Sequence, residues 1–411
     1  MDFEIQQHLS NRKVALIHYW YARRRGGERV LDVLAETFPQ ADVFVMVLDR
    51  KSLPPSTASH KITTSFLQKI PGATRHYRKL MFLFPFALES FNLDDYDIVL
   101  SQEAGPAKGV LTRSHTCHIN YCHSPMRYIW DKYHVYRQEA PGMLGRFVYG
   151  MSAHYLRQWD YCAASRVQHF IASSANAASR IWKYYRRESE IIYPPVDVSA
   201  FLGSEKREDF YLVVSPLVAY KRVDLAIKAC NKLRSRLVII GRGEDEKKLR
   251  KLAGPTVEFL GYQPDEVVKD LYKRCRAFVF PGEEDIGLTP IEAQASGAPV
   301  IAFGAGGALE TVRGSFADED FPEGSTGVFF KSPSAESLAE AILFFKNNES
   351  RFRGRDMEVQ ALQFDVPRFK ANVLDSVYHA WRQFSCQEPS QRKISVPLEI
   401  PDVRNFGMTN R

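Results

Sequence analysis

The sequence has no long uninterrupted apolar run. Its longest such stretch, residues 80–88, has nine residues and contains Pro85, whereas a helix that crosses a bilayer needs about 20. The first residues, MDFEIQQHLSNRK, show no basic region followed by an apolar one, which is the pattern of a secretory signal. We therefore expect a cytoplasmic protein without a membrane-spanning segment.

Cysteines are few and scattered, since the chain of 411 residues contains only six. Nothing indicates an oxidising compartment, so we expect reduced thiols rather than disulfides. One stretch does combine metal-ligating residue types: His115, Cys117, His118, Cys122 and His123. It reads as a strand, and alternation then places His115, Cys117 and His123 on one side and the other two residues on the opposite side. A metal site is the alternative interpretation here, and we predict none.

Charge of one sign is not in large excess either. The 55 lysines and arginines outnumber the 48 aspartates and glutamates by seven, and no nucleic-acid-binding motif is found. We therefore predict no nucleic-acid partner, although the charge suits anions such as diphosphates or lipid headgroups. The 45% of apolar residues is typical of a globular protein, and the length predicts two domains of about 200 residues each.

Short β-rich runs alternate with helical stretches in both halves of the chain. Such alternation produces parallel sheets covered on both faces. The predicted strands are 14–17, 43–47, 98–100, 118–121, 170–172 and 191–193 in the first half, and 211–215, 237–241, 257–261, 277–281, 299–303 and 327–330 in the second. We predict an α/β protein with two Rossmann-like, doubly wound domains that face each other across a cleft.

The expected domain boundaries follow from the breaks in this pattern. Pro194 and Pro195 cannot continue a sheet interior, and a polar stretch follows them. We therefore place a first domain at 1–202 and a second at 203–365. An amphipathic helix at about 366–385 is expected to complete the first domain, and the polar segment 386–411 is expected to be a mobile tail.

Residues 283–312 contain the pattern that points most directly to a ligand. A loop with Gly287, where the backbone can approach a ligand closely, is followed by Thr289 and Glu292 at positions that fit the N-cap and N3 of a helix. A helix N-terminus at the end of a parallel strand binds anions, and carboxylates such as Glu284 and Glu292 accept hydrogen bonds from sugar hydroxyls. Alternatively, Thr289 and Glu292 form a capping box, in which the glutamate only bonds back to the N-cap amide.

A second glycine-rich turn, 304–307, adds another phosphate-compatible loop at the next strand end. The whole segment resembles glycosyltransferase family 4, a family of retaining enzymes with the two-domain GT-B fold and a signature of two glutamates separated by seven residues. The residues in register with the family pattern are Glu284, Gly287, Leu288, Pro290, Glu292, Ala293, Gly297, Pro299, Val300, Gly306 and Gly307. The resemblance extends over about residues 14–381.

This resemblance implies roles for residues of the segment. Glu284 would bind hydroxyls of the transferred hexose, and Glu292 would bind the ribose. The backbone amides that would hold the sugar and the diphosphate are those around Ile286, Gly287, Leu288 and Thr289. A ring that could stack on the base belongs to Tyr262, which follows the predicted strand 257–261.

The resemblance also assigns a lysine to the diphosphate of the donor, and Lys221 matches it; a solvated lysine at the start of a helix is the alternative. A cation bonded to phosphate contributes about 1.5–3 kcal/mol. Family members commonly have an arginine close before this lysine, where the present chain has Pro216. One phosphate cation is therefore missing, and Arg222, or Arg242 beside Gly241, is the expected replacement.

Two stretches of the first half support the same resemblance. Gly26 and Gly27 would let the backbone close over the donor; they are not part of a G-x-G-x-x-G motif, although Asp49 imitates the ribose-binding acid of an NAD site, which is the alternative. Residues 121–131 resemble the version found in bacterial polysaccharide mannosyltransferases. His123 in that stretch would contact donor or acceptor, and a hydrogen-bonded core histidine is the alternative.

The stretch from Arg75 to Leu88 combines basic residues with a dense apolar run. This composition suits the interface of an anionic membrane, and relatives of this kind often extend a polyprenyl-diphosphate-linked oligosaccharide. A buried helix with a solvated basic flank is the alternative. A contact of this stretch with the inner face of the membrane is therefore one of two open interpretations.

Together these features predict a hexosyltransferase that acts with retention. The expected donor is a nucleotide sugar, with GDP-mannose favoured, and the expected acceptor is a saccharide or a lipid-linked saccharide. Glu284, His123 and Lys221 are the candidate catalytic residues, and we expect no metal and no cofactor because cationic and amide groups would hold the leaving diphosphate. The alternatives are another GT-B activity, such as sugar-nucleotide epimerisation, and a non-catalytic nucleotide-sugar-binding protein.

Overall fold

The computed structural model describes residues 2–386 except residues 23, 25, 204, 205, 318 and 320. It contains two β-sheets of seven strands each, one in each half of the chain, and all strand pairs are parallel. The α/β class and the two doubly wound sheets are therefore as predicted. The predicted mobile tail lies, apart from Cys386, outside the described residues.

The first sheet has the strand order β3-β2-β1-β4-β5-β6-β7. Its strands are β1 Val14–Tyr21, β2 Asp42–Leu48, β3 Ile62–Thr64, β4 Ile98–Glu103, β5 Cys117–Cys122, β6 His169–Ala172 and β7 Glu190–Ile191. The helices of this half are α1 Asp2–Ser10, α2 Gly26–Thr37, α3 Pro55–Ala58, α4 Ala73–His76, α5 Phe84–Glu89, α6 Tyr133–Glu139, α7 Gly142–Ser165 and α8 Ala175–Tyr185. The order reverses between β1 and β4, and ligands of doubly wound sheets bind beside such a reversal.

The second sheet has the order β10-β9-β8-β11-β12-β14-β13. Its strands are β8 Tyr211–Val214, β9 Leu237–Ile240, β10 Val257–Gly261, β11 Ala277–Phe280, β12 Val300–Phe303, β13 Gly314–Phe316 and β14 Gly327–Phe330. The helices that follow are α9 Val223–Leu233, α10 Glu246–Leu252, α11 Asp265–Arg274, α12 Leu288–Ala295, α13 Ala308–Thr311, α14 Ala335–Asn347, α15 Gly354–Ala361 and α16 Val366–Ser385. Here the order reverses between β8 and β11, so the loops after these two strands flank a crevice.

Each strand predicted from the sequence is present. The predicted ends lie within two residues of the observed ones except in β1 and β4, which continue four and three residues beyond their predicted ends. The structure adds β3 and β13, which the sequence does not predict because each has three residues that are only partly buried at a sheet edge. Such short edges carry no apolar run. The strand predicted at 191–193 is β7, which begins one residue earlier and is exposed.

The last described helix, α16, returns to the first half of the chain. Its side chains Phe369, Val373 and Val377 are buried in the same core as Leu34 of α2, and the Phe369 ring lies 5.7 Å from that of Tyr121 on β5. Asp365 caps the helix by accepting a hydrogen bond from the amide of Val366. The helix therefore adds its apolar face to the core of the first sheet.

Two chain segments that connect the halves lie side by side. Val196 pairs with Asp365 in an isolated parallel bridge, and the amide of Val198 donates to the Asp365 carboxylate at 3.2 Å. Val196, Val198 and Phe201 are buried in the core of the second sheet. The core of the second sheet therefore includes residues that precede position 203, the predicted start of the second domain.

Candidate functional site

The loop after β11 leads into α12, and its backbone differs from the prediction at one point. Gly287 is the N-cap residue, with a φ of 75°, and no side chain caps the helix. A methyl group at Gly287 would come within 2.8 Å of the Phe280 ring, so glycine is required by both conformation and space. The prediction of Thr289 as N-cap is wrong, because α12 begins at Leu288, one residue before Thr289.

Glu292 is not the second half of a capping box. Its carboxylate accepts hydrogen bonds from the Tyr272 hydroxyl at 3.2 Å and from the Arg29 guanidinium at 3.3 Å. Burial raises the pKa of Glu292, and the charge of Arg29 acts in the opposite direction. Arg29 belongs to α2, so the carboxylate expected to bind ribose joins the two halves of the molecule.

Lys221 and Glu284 form an ion pair in which the lysine is 12% exposed and the glutamate 23%. Lys221 ends a short helical turn after β8, and Glu284 lies in the loop after β11, so the pair spans the point where the strand order reverses. A methyl group at Gly282 would lie 2.9 Å from the Lys221 Cα. The two loops are therefore in close backbone contact, and the structure brings two of the three candidate catalytic residues together.

The turn at 304–307 packs against the backbone of the loop that contains Glu284. The amide of Gly307 donates to the carbonyl oxygen of Glu284 at 2.8 Å. A methyl group at Gly307 would come within 2.3 Å of the Ile286 Cα, and one at Gly306, where φ is 61°, within 2.4 Å of the Glu284 carbonyl oxygen. The two glycines thus let the turn pack directly on the backbone at 284–286.

Replacing Gly307 by alanine is expected to weaken binding of a nucleotide diphosphate. The added methyl group must displace Ile286, and such overpacking costs about 1–3 kcal/mol. Because the diphosphate is expected to bind the undisplaced loop, this cost would lower the affinity by up to about 150-fold. Calorimetric titration with GDP and with UDP measures the effect. Gly150→Ala is the matched control, because a methyl group in that helix lies no closer than 3.4 Å to its nearest neighbour. Equal affinities for the two variants would contradict the proposed packing role.

Helix α2 of the opposite half faces this loop. A methyl group at Gly26 would lie 3.2 Å from the Leu288 side chain, and one at Gly27 would lie 3.4 Å from the Tyr19 hydroxyl and 3.9 Å from the His123 ring. Gly26 begins α2 and Leu288 begins α12, so the N-terminal ends of two helices meet across the cleft. Each such end carries a partial positive charge.

His123 follows β5 and lies in the wall of a cavity of about 250 Å³. The cavity is also lined by Arg127, Tyr136 and Asp285, and so by residues of both halves. The His123 ring contacts the Gln102 amide. Burial and, to a lesser extent, His18 lower the pKa of His123 to about 3, so the ring is neutral near pH 7. His123 is therefore a buried histidine with a hydrogen bond inside the protein, as in one interpretation of the sequence. It also lines the cavity, where it could contact a ligand, as in the other.

A cluster around Asp285 was not predicted. Its carboxylate accepts from Arg127 at 3.2 Å, from Asn176 at 3.4 Å and from Arg180. Glu310 nearby accepts from the backbone amide of Asn176 at 3.2 Å. Asp285 lies between the predicted residues 284 and 286, but its partners come from the other half of the chain, and sequence spacing alone does not show which surfaces will meet.

Several predicted donor-binding residues follow other strands of the second sheet, at their carboxyl ends. Gly241, with a φ of 135°, packs on the Ser215 backbone, and Tyr262 is 74% exposed at the end of β10. The side chain of Arg242 is exposed and lies over Gly261. Arg222 donates to Asp224 at 3.1 Å and to the carbonyl oxygen of Pro333 at 3.3 Å, so its guanidinium has partners outside the Lys221–Glu284 pair.

Two alternatives drawn from the sequence can be placed in the structure. The Asp49 carboxylate caps a short helical turn by accepting from the Lys51 amide at 3.1 Å. His118 shares a hydrogen bond of 2.8 Å with Ser101, and Cys117 lies in the apolar core of the first sheet. Among the residues that the structure describes, no group of three or more histidines, cysteines and acidic residues has the geometry of a metal site.

Comparisons with known protein families cover most of the chain. Residues 24–200 match the model described as Glycosyltransferase Family 4, and residues 198–358 match the model described as Glycosyl transferases group 1. Among solved structures, HepE from Anabaena in complex with UDP covers 89% of this chain and all of its own, with a TM-score of 0.64 and 16% identity. At that identity the likeness concerns the fold.

Curated relatives match over shorter stretches. The O-antigen chain mannosyltransferase RfbU of Salmonella typhimurium is 28% identical over 151 residues, which are 34% of this chain and 43% of RfbU. The GDP-mannose-dependent alpha-mannosyltransferase of Mycolicibacterium smegmatis is 27% identical over 43% of this chain and 50% of its own length. The chain thus spans about half of the length of these relatives. With both halves matched and the two-sheet architecture shared, the chain belongs to the family 4, group 1 glycosyltransferases and has the GT-B fold.

Proposed function

We propose that the protein transfers a hexose, with retention of configuration, from a nucleotide diphosphate sugar to a saccharide or a lipid-linked saccharide. The observation that carries the proposal is the Lys221–Glu284 pair, in which Glu284 belongs to the loop that leads into α12, and the N-terminal end of α2 contacts the start of that helix. A cation near two helix ends that carry partial positive charge favours an anion with several charges, and the diphosphate of a sugar donor is such an anion.

In the proposed complex, Lys221 and Glu284 bind different parts of the donor. A diphosphate oxygen would take the place of Glu284 as the partner of Lys221, and the amides at 286–289 would bind further phosphate oxygens. The Glu284 carboxylate would then accept hydrogen bonds from the hexose hydroxyls. The Glu292 carboxylate, which already accepts bonds from Tyr272 and Arg29, has the acceptor capacity for a ribose hydroxyl.

The distance between the carboxyl ends of β11 and β10 suits the rest of a nucleotide. Tyr262 follows β10, which is three strand positions from β11 in the sheet. At a spacing of about 4.8 Å this separation is about 14 Å, the order of the distance from a base to its second phosphate. The exposed Tyr262 ring would therefore be available to stack on the base.

In the proposed reaction the bond between the sugar C1 and the phosphate oxygen breaks, and its electron pair stays on the departing diphosphate. The acceptor hydroxyl oxygen forms the new bond to C1 from the same face, and its proton passes to the departing phosphate oxygen. Lys221 and the amide groups stabilise the charge that develops on the diphosphate. We propose no covalent intermediate on a protein side chain.

GDP-mannose is the proposed donor. The relatives named above support it, because one is a mannosyltransferase and the other is a GDP-mannose-dependent mannosyltransferase, whereas HepE was solved with UDP. A thermal-shift panel of GDP- and UDP-sugars distinguishes these donors. A ligand at 100 times its Kd stabilises the folded state by about 2.7 kcal/mol, so the melting temperature should rise most with GDP-mannose; a larger rise with a UDP-sugar would reassign the donor.

Retention and the role of metals have separate tests. Proton NMR of the first product formed should show the anomeric configuration of the donor, and the opposite anomer would contradict retention. We also propose that transfer needs no metal, so activity should persist in EDTA. Activity that disappears with EDTA and returns with manganese would contradict this. Donor binding without transfer to any acceptor would favour a binding protein, and rearrangement of the donor in water would favour an epimerase.

A further inference from the structure

The helix α7 turns an apolar face towards solvent. Its first four turns carry six large apolar or aromatic side chains that are at least 36% exposed, namely Met143, Leu144, Phe147, Val148, Met151 and Tyr155. Three of them are exposed by 88%, 76% and 65%, in the order Met143, Leu144 and Phe147. An ordinary surface helix has the reverse pattern, with its polar face outward.

The six residues lie on one side of the helix. Counted from Met143, the other five lie one, four, five, eight and twelve residues further on. At about 100° per residue these offsets place all six within about 140°, less than half of the helical circumference. Ser152, Ala153 and Leu156 on the other side are buried. The outward face is therefore a continuous stripe, which we call the α7 face.

Residues near 80 extend the α7 face. The Phe82 ring lies 5.4 Å from that of Tyr155 and 6.5 Å from that of Phe86, and both phenylalanines are more than half exposed. Their neighbours Phe84 and Leu88 are buried in the core. The stretch 75–88 thus fits both interpretations of its sequence, since one side packs inside and the other joins the α7 face.

Within the two segments that contribute to the α7 face, the charged side chains are all basic; Glu89 and Glu139 adjoin these segments. Residues 66–88 and 140–159 contain no aspartate or glutamate, and Arg75, Lys79 and Arg146 are exposed. Exposed apolar side chains with a basic border match an anionic lipid surface, where the apolar groups enter the acyl boundary and the cations meet the headgroups. No helix among the described residues is long and apolar enough to span a bilayer.

We propose that the α7 face, with Phe82 and Phe86, docks the protein on the surface of an anionic membrane. The helix α7 lies close to the cavity that His123 lines, because α6 packs on α7 and Tyr136 of α6 also lines that cavity. Docking would therefore present the cavity to an acceptor carried by a lipid, a consequence that rests on the proposed function. The docking itself does not depend on it.

Co-sedimentation of the full chain with vesicles tests the docking without any sugar donor. The wild-type protein should bind vesicles of phosphatidylcholine mixed with phosphatidylglycerol, and bind less well to phosphatidylcholine alone or at high salt. Leu144→Glu/Phe147→Glu should lower the partition coefficient by about a hundredfold or more, because two apolar side chains are lost from the interface. Leu343→Glu/Val359→Glu is the matched control on helices of the second half, and its partition should be unchanged; both positions are 46–48% exposed.

A second measurement does not depend on a disruptive change. In Phe147→Trp, lipids with brominated acyl chains should quench the added tryptophan fluorescence. Absence of vesicle binding by the wild type, equal binding by the two double variants, or an unquenched tryptophan would each overturn the proposal. So would a dimer that Leu144→Glu/Phe147→Glu dissociates in sedimentation velocity in the absence of vesicle binding, because the occupant would then be a second copy. Donor binding is measured separately, so that a failure of docking can be distinguished from a failure of the proposed function.

Discussion

Replacing Lys221 by methionine is expected to lower kcat for sugar transfer by about 10²–10³-fold, as is found when one preorganised donor to a developing anion is removed. The methionine keeps the apolar stem of the lysine and removes its charge. The charge matters most when the diphosphate leaves, since the negative charge on the phosphate oxygens is then largest. Steady-state kinetics with the donor identified by thermal shift measures the effect.

The control for this experiment is Lys228→Met. Lys228 is exposed and pairs with Asp224 on the same helix at 3.3 Å, so its loss should leave kcat within a factor of about two, as is usual for a surface pair. A Lys221→Met variant with a raised KM and an unchanged kcat would contradict the account, because it would show that the lysine binds ground state and transition state equally. Glu284→Gln should also reduce transfer, and the double variant should lose less than the sum because the two side chains touch.

The protein is expected to lose about 6 kcal/mol of unfolding free energy between about pH 7 and pH 5. Burial lowers the pKa of His18 to about 4, and burial also lowers the pKa values of His118 and His123 to about 3. In the unfolded chain each ring takes up a proton near its usual pKa of about 6.5, whereas the folded protein takes up none until well below it. Stability is therefore complete above about pH 6.5 and falls as the pH falls.

Urea unfolding at several pH values measures this loss. Carboxylates with lowered pKa values, such as Glu190 and Asp224, act at a lower pH, so the range from about pH 7 to 5 reports mainly on the histidines. Glu292, whose pKa is raised, works in the opposite direction with one proton at most. A free energy that stays flat over this range would contradict the buried, neutral state of the three rings.

The sequence predicts the sheets well because their central strands are apolar runs separated by turn residues. It also predicts the loop at Gly287, where glycine is needed for both space and conformation. The assignment of Glu292 could not be settled in this way, because a capping box and a contact with Tyr272 and Arg29 require the same residue at the same position. The partners of that carboxylate are distant in sequence, and only the fold brings them together.

Two other features depend on how the halves and faces are oriented. The partners of Asp285 come from α8 and from the stretch after β5, so they become visible only when the two halves are placed against each other. The outward apolar face of α7 is hidden in the sequence for a different reason. Periodicity shows that apolar residues share one side of a helix, but it does not show whether that side meets the core or the solvent.

The central claim is that Lys221, together with the amides of 286–289, holds the departing diphosphate between two helix ends. A crystal structure of the protein with bound GDP-mannose, or with the donor that thermal shift selects, tests it most directly. The account predicts phosphate oxygens within hydrogen-bonding distance of the Lys221 ammonium and of the amide of Gly287 or Leu288, with Glu284 turned to the hexose. A nucleotide bound in another crevice, with the Lys221–Glu284 pair intact, would contradict it.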